Sequence, residues 1–225
     1  MTTSADRPAL RADAERNRER ILATARRMFA EHGLDVPMED VARQASVGVA
    51  TLYRRFPTRE DLIAAVFEAK MTAHADAVTT ALTDPDSWHG FCRYLEHVCA
   101  MQAEDRGFAN ALTMTFPTAR ALEAERDRAY HGLVELISRA KVAGKLRRDF
   151  VPEDVVMLLM ANAGVIAATD QAAPCTWKRL LAYLIQAFAA PATPPVTVPL
   201  PDPPAPTAMY RALLRLRGPR TGTAR

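Results

Sequence analysis

An all-α fold is predicted by three features of the 225-residue chain. Glycine is scarce, at 9 residues, and aromatic side chains make up only 7%. Apolar residues recur at the i, i+3, i+4, i+7 spacing of a helix face, and no alternating runs joined by Asn-Gly or Asp-Gly turns are found. The length suits one large or two modest domains, with ample material for a core.

The first helix is expected from Asp13 to Glu31. Ile21, Leu22, Ala25, Met28 and Phe29 share one of its faces, and Gly33 stands where a left-handed C-terminal cap belongs. The second runs from Pro37 to Ala45, with Pro37 tolerated in its first turn and Glu39 and Asp40 favouring its positive end. The third follows within about three residues, from Val49 to Phe56, and stops before Pro57. Thr58, with Glu60 and Asp61 behind it, reads as the N-cap of a longer helix through Leu62, Val66 and Phe67 to Thr80. Asp84-Pro85-Asp86 breaks the chain, and further helices are expected over Ser87–Ala103, Arg106–Thr115, Thr118–Ala143, Pro152–Ala168 and Thr176–Ala189. Residues 1–12 are expected to form a disordered arm.

Charge and proline are unevenly distributed. Residues 1–60 carry 11 basic and 9 acidic side chains, residues 61–207 carry 13 and 17, and residues 208–225 carry 5 and 0. Eight of the 16 prolines fall between Pro191 and Pro206, so 191–225 reads as a Pro-rich linker and a basic tail with a short amphipathic run from Met209 to Leu216. The longest apolar run, Val155 to Ala168, has 14 residues interrupted by Asn162, below the ~20 needed to cross a bilayer, so no membrane span is expected. The charged N-terminus lacks the apolar stretch of a secretory signal, which makes the cytoplasm the expected compartment. The three cysteines are expected reduced.

The informative stretch is PMEDVARQASVGVATLYRRF, residues 37–56. Two short helices joined by a three-residue turn, with small Ala42 four residues before Ser46, match a helix-turn-helix whose core is Val41, Val47 and Leu52. Val49, Ala50, Thr51, Tyr53, Arg54 and Arg55 are then left to an outer surface. Arginine suits guanine edges or phosphate, and Thr or Tyr hydroxyls suit phosphate. An ordinary helical hairpin with a solvated arginine pair fits the same spacing.

The wider run, NRERILATARRMFAEHGLDVPMEDVARQASVGVATLYRRFPTREDLIAAVFE, resembles the N-terminal domain of the tetracycline-repressor (TetR) family over about residues 14–70. Its most specific part is TLYRRFPTREDL, which fits the family pattern T-L-Y-x-x-F-x-[ST]-[KR]-x-x-L. The resemblance implies that Thr51 and Tyr53 touch phosphate, that Val49, Ala50, Arg54 and Arg55 face the groove or its walls, and that Arg59 clamps the backbone. It also implies that the fourth helix carries the state of a ligand domain to the head. Met38 and Arg18 complete the candidate DNA contacts. Two departures stand out: Ser46 occupies the turn position usually held by glycine, and Val-Pro-Met replaces the frequent Thr or Ser N-cap of the second helix. The expected DNA-binding domain is 13–60, and 61–190 is expected to bind an effector and dimerise.

In that second half, Trp88, Phe91, Phe108, Met114, Phe116 and Tyr130, with His97 and His131 as polar contacts, are the candidate wall of a pocket for a small, largely apolar effector. The same residues also serve as ordinary core. The helix at 152–168 is apolar nearly all round, so it needs covering on two sides. Val155, Leu159, Asn162, Val165 and Ile166, with Trp177, Leu181, Leu184 and Phe188 of the next helix, are the candidate homodimer seam, Asn162 setting its register. Internal core in a monomer is the other reading. His89, Cys92, Glu96 and Cys99 share a helix face, but four positions over ~15 Å do not converge on one metal ion. The expected protein is therefore a dimeric, effector-released repressor of a palindromic operator, with no cofactor and no catalytic residues. The alternatives are a thiol- or metal-responsive regulator of the same fold, an all-α enzyme, or an interaction protein using its Arg-rich tail.

Overall fold

The computed structural model describes residues 6–113, 119–169 and 171–191. Among them every named element is a helix: α1 (Asp6–His32), α2 (Met38–Gln44), α3 (Val49–Arg55), α4 (Arg59–Leu82), α5 (Ser87–Glu104), α6 (Arg106–Thr113), α7 (Arg120–Val142), α8 (Pro152–Thr169) and α9 (Thr176–Phe188). The expected linker and tail lie outside the described residues, apart from Pro191.

The first helix begins at Asp6, so residues 6–12 belong to α1 rather than to an arm. Pro8 sits in the first turn, where its missing N–H is harmless, and Ala9, Leu10, Arg11 and Ala12 are strong helix formers. Gly33 ends α1 at φ +83°, its N–H on the Phe29 carbonyl at 3.1 Å. At the end of α2, Val47 N–H reaches the Ala42 carbonyl at 3.0 Å and Ser46 N–H the Arg43 carbonyl at 3.2 Å, a Schellman cap. Ser46 occupies its left-handed position at φ +54°. It is the only non-glycine residue with positive φ among those described. Asp86 caps α5, accepting from the N–H groups of Trp88 at 2.9 Å and His89 at 3.2 Å.

The described residues divide into two compact units, one of 6–73 with 106–113 and 119–127 and the other of 74–105 with 128–169 and 171–191. The expected boundary at residue 60 therefore differs from the division by contacts. The reason is packing within the first unit: α6 lies on α1, and the Phe67 ring sits 6.2 Å from Phe29 and 6.0 Å from Phe108. Arg126 also donates to the carbonyls of Ala111 at 3.0 Å and Leu112 at 3.1 Å near the end of α6. The head core holds Ile21, Met28, Phe29, Val41, Leu52 and Leu62, all buried. Full burial of one such apolar side chain contributes roughly 1.5–3 kcal/mol.

In the second unit α5, α8 and α9 pack on one another. Phe150 closes the aromatic cluster, 5.5 Å from the Phe91 ring and 4.8 Å from Phe188, and Trp88 stacks on Phe91 at 5.7 Å. At the centre, Asn162 Nδ2 donates to Gln102 Oε1 at 2.8 Å, and Gln102 Nε2 donates to the Leu159 carbonyl at 3.2 Å. α8 has 18 residues and a mean hydropathy of 1.2, so by length and composition it is long enough to cross a membrane, although a third of it is buried in the protomer. The 14-residue run counted in the sequence is shorter because the helix extends over Pro152–Asp154 and Thr169.

Candidate nucleic-acid interface

The turn after α2 delivers α3 with one buried anchor, Leu52, and an otherwise open outer face. Val49 and Tyr53 are 43% and 39% exposed, Ala50, Arg54, Arg55 and Arg59 are exposed, and Thr51 is half-buried. Val47 is only half-buried, so Val41 and Leu52 carry the small core between these helices. A cleft of about 410 Å³ between α1 and α3 brings Arg18, Thr51, Arg54 and Arg55 together with Asp13 and Asn17. Met38 departs from expectation. It is 5% exposed, because the chain enters α2 through extended Pro37 and turns this first residue inward. It is therefore a core residue and not a DNA contact.

Carboxylates engage several of these groups. Tyr53 donates its hydroxyl to Glu39 Oε1 at 2.8 Å, Arg55 lies 3.4 Å from Glu15, Arg18 lies 3.7 Å from the same Glu15, and Arg59 lies 3.5 Å from Asp35. The Glu39 carboxyl is held below its usual range, first by a backbone N–H in the opening turn of α2 and then by Tyr53. That same bond pushes the Tyr53 phenol up. Arg54 differs: it donates only to Thr51 Oγ1, at 3.2 Å, and forms no ion pair among the described residues. The sequence separations, 40 residues for Glu15–Arg55 and 24 for Asp35–Arg59, are why no local pattern announced these partners.

Residues 21–66 match the family described as bacterial regulatory proteins, tetR family, and residues 84–186 match the SbtR-like transcriptional regulator C-terminal domain. A TetR transcriptional regulator from Streptomyces coelicolor is 31% identical in an alignment covering 78% of this chain and 99% of that one, with a TM-score of 0.48. The chain belongs to the TetR family. It is accordingly a DNA-binding transcriptional regulator of a non-enzymatic family and fold. An HTH-type transcriptional regulator of Staphylococcus aureus is 39% identical over 54 residues, 24% of this chain and 29% of that protein, so the chain matches under a third of that relative's length. A TetR-like fold is shared with the regulator FadR of Bacillus subtilis, solved in complex with stearoyl-CoA, at 14% identity, 76% and 98% coverage and a TM-score of 0.57.

The candidate effector residues of this TetR-family chain fall in both compact units. Trp88 and Phe91 are buried in the aromatic cluster of the second unit, and Phe108 is buried in the first. Tyr130 and His131 lie exposed on α7, and Met114 and Phe116 lie outside the described residues. His97 lines a cavity. This is a groove of about 710 Å³ between α5 and α9, floored by Ala100, Ala103, Leu181, Ala182 and Ile185 and edged by Arg93, Glu96, Glu104 and Lys178. Small residues at 100, 103 and 182 leave the gap, a signal present in the sequence but masked there by the surrounding aromatic residues. Cys92 and Cys99 are buried, and burial pushes each thiol up to about 12, which makes them poor thiolates. His89 pairs with Asp84 at 2.6 Å.

The proposed dimer seam is also redistributed. Val155, Leu159, Asn162, Ile166, Trp177 and Leu181 are buried within one protomer, and Asn162, 1% exposed, faces Gln102 of its own chain. Val165, Leu184 and Phe188 are half-buried. The apolar side chains that α8 and α9 leave open are Val156, Met157, Met160 and Tyr183, 46–61% exposed. A helix apolar all round does not encode which side faces its own core, and here the Gln102–Asn162 pair shows which side did.

Proposed function

We propose that this regulator is a cytoplasmic homodimeric repressor that binds a palindromic operator through two copies of α3 and releases it when a small effector occupies the α5–α9 groove. The observation that carries the reading is α3 itself: a helix anchored by Leu52 alone, with Thr51, Arg54 and Arg55 gathered beside Arg18 in one cleft and Tyr53 exposed next to Glu39. Two such helices suit half-sites about 34–36 Å apart, or a multiple of that spacing. The groove volume falls in the range of roughly 300–1,000 Å³ usual for small-molecule sites, and its floor and rim suit a ligand with an apolar body and polar ends. α4 belongs in part to each compact unit and is the element through which the effector would act on the head, with a coupling of about 1–3 kcal/mol.

A second copy, not lipid, covers the open face of α8. Glu153 and Asp154 in its first turn favour a protein partner. A gel shift with the DNA upstream of the protein's own gene tests the whole: sequence-dependent retardation by a dimer is expected, and retardation equal to that of scrambled DNA refutes it. Met157→Glu with Met160→Glu should yield a monomer by light scattering.

A further inference from the structure

Affinity for duplex DNA of arbitrary sequence depends on how many cations a protein brings to phosphate. In this chain residues 1–60 hold 11 basic side chains against 9 acidic ones, a weak surplus for a duplex-binding head. Part of the acid stands on the very groups that face outward from α3 and the start of α4. Glu15 lies 3.4 Å from Arg55 and 3.7 Å from Arg18, Asp35 lies 3.5 Å from Arg59, and Glu39 accepts the Tyr53 hydroxyl at 2.8 Å. Arg54 alone among the arginines of α3 carries no carboxylate partner among the described residues.

We propose that Glu15, Asp35 and Glu39 form a counter-set that holds Arg55, Arg59 and Tyr53 in the free protein, is displaced by DNA phosphates, and thereby sets a low affinity for duplex of any sequence. The proposal rests on the reading of α3 as the DNA-contacting helix. Each backbone contact becomes an exchange of a carboxylate for a phosphate, and the released carboxylate stays close to the polyanion, so the contact yields little net affinity. Arg54 has no carboxylate ion pair to exchange among the described residues, which leaves base recognition to contribute a larger share of the binding. All three carboxylates are exposed, so the effect belongs to the class of screened surface pairs and fades with salt.

The test is Glu15→Gln in the full-length protein, titrated by fluorescence anisotropy against a random 30-base-pair duplex and against a duplex selected by the wild type, from low to high salt. Exposed pairs of this kind correspond to about 1.5- to 5-fold per protomer, roughly 2- to 25-fold in a two-fold dimer. The expected result is a gain of that size at low salt, equal for both duplexes and shrinking as salt rises. Less than about half of that gain, on a logarithmic scale, is expected when the change is made on Arg55→Ala. Asp35→Asn, at a side chain 97% exposed, is the second variant and should show the same sequence-independent gain. Unchanged or weakened binding, a gain confined to the selected duplex, or an undiminished gain without Arg55 overturns the proposal. Wild-type protein that binds no duplex refutes the interface reading and this proposal with it. Wild-type binding alongside an inert Glu15→Gln refutes the proposal alone.

Discussion

Removing either amide of the Gln102–Asn162 pair strands its partner in the core of the second unit. Gln102 is 0% and Asn162 1% exposed, so water cannot replace what is lost. In Gln102→Leu, Asn162 Nδ2 keeps only the Cys99 carbonyl at 3.4 Å, while its Oδ1 already has no hydrogen-bond partner. A buried polar group left in that state costs about 1–3 kcal/mol, and the lower half of the range applies here because Oδ1 is unpartnered before and after the change and only Nδ2 loses a bond. Asn162→Leu strands only Gln102 Oε1 and removes the unpartnered Oδ1, so a smaller loss of about 1 kcal/mol is expected. The double variant leaves no amide behind and should fall within about 1 kcal/mol of wild type, giving a coupling of roughly 1–3 kcal/mol. Urea unfolding at fixed protein concentration reads all four proteins, since a dimer's stability depends on concentration. A double variant that equals the sum of the singles would refute the account. The oligomeric mass of Asn162→Leu should stay that of wild type, because this side chain faces its own protomer.

Ser46→Gly should stabilise the protein by about 0.5–1 kcal/mol in urea unfolding. The left-handed φ of +54° costs an L residue roughly 1–2 kcal/mol, partly offset by the larger unfolded-state entropy of glycine. Native protein at pH 8 should take up one equivalent of iodoacetamide, at exposed Cys175, and three after denaturation. Cys92 and Cys99 ionise near 12 when folded against an ordinary value of 9. The unfolded chain thus loses these protons first, and stability should fall as pH rises from about 9 towards 12. Arg54→Ala should flatten discrimination among DNA sequences in competition binding, whereas Arg59→Ala should weaken all sequences alike and lower the salt slope by about 1 per contact.

How far these features were legible in the sequence follows their range along the chain. The helix-turn-helix was readable because its determinants lie within 20 residues: Pro37 opens α2, the Schellman cap closes it, and Leu52 anchors α3. The strain at Ser46 was readable for the same reason, since a turn's φ is set by its own few residues. Met38 was misplaced because one residue at a helix start faces inward or outward according to how the chain enters, which Pro37 decides through its extended backbone. The α5–α9 groove was not legible because aromatic composition, the signal followed in the sequence, is common to cores and binding sites, whereas the groove is floored by small and aliphatic residues. Trp88 stacks on Phe91, and Phe91 packs edge-on against Phe150.

By itself the sequence determined the helices, the helix-turn-helix and the family, because helix periods, caps and a contiguous signature are local quantities. Only the tertiary structure decided which face of α8 is core and which is open, where the groove lies, and which carboxylate meets which arginine. Those outcomes depend on pairs such as Gln102–Asn162 and Glu15–Arg55, 60 and 40 residues apart. No periodicity links such positions, and packing alone brings them within hydrogen-bonding reach.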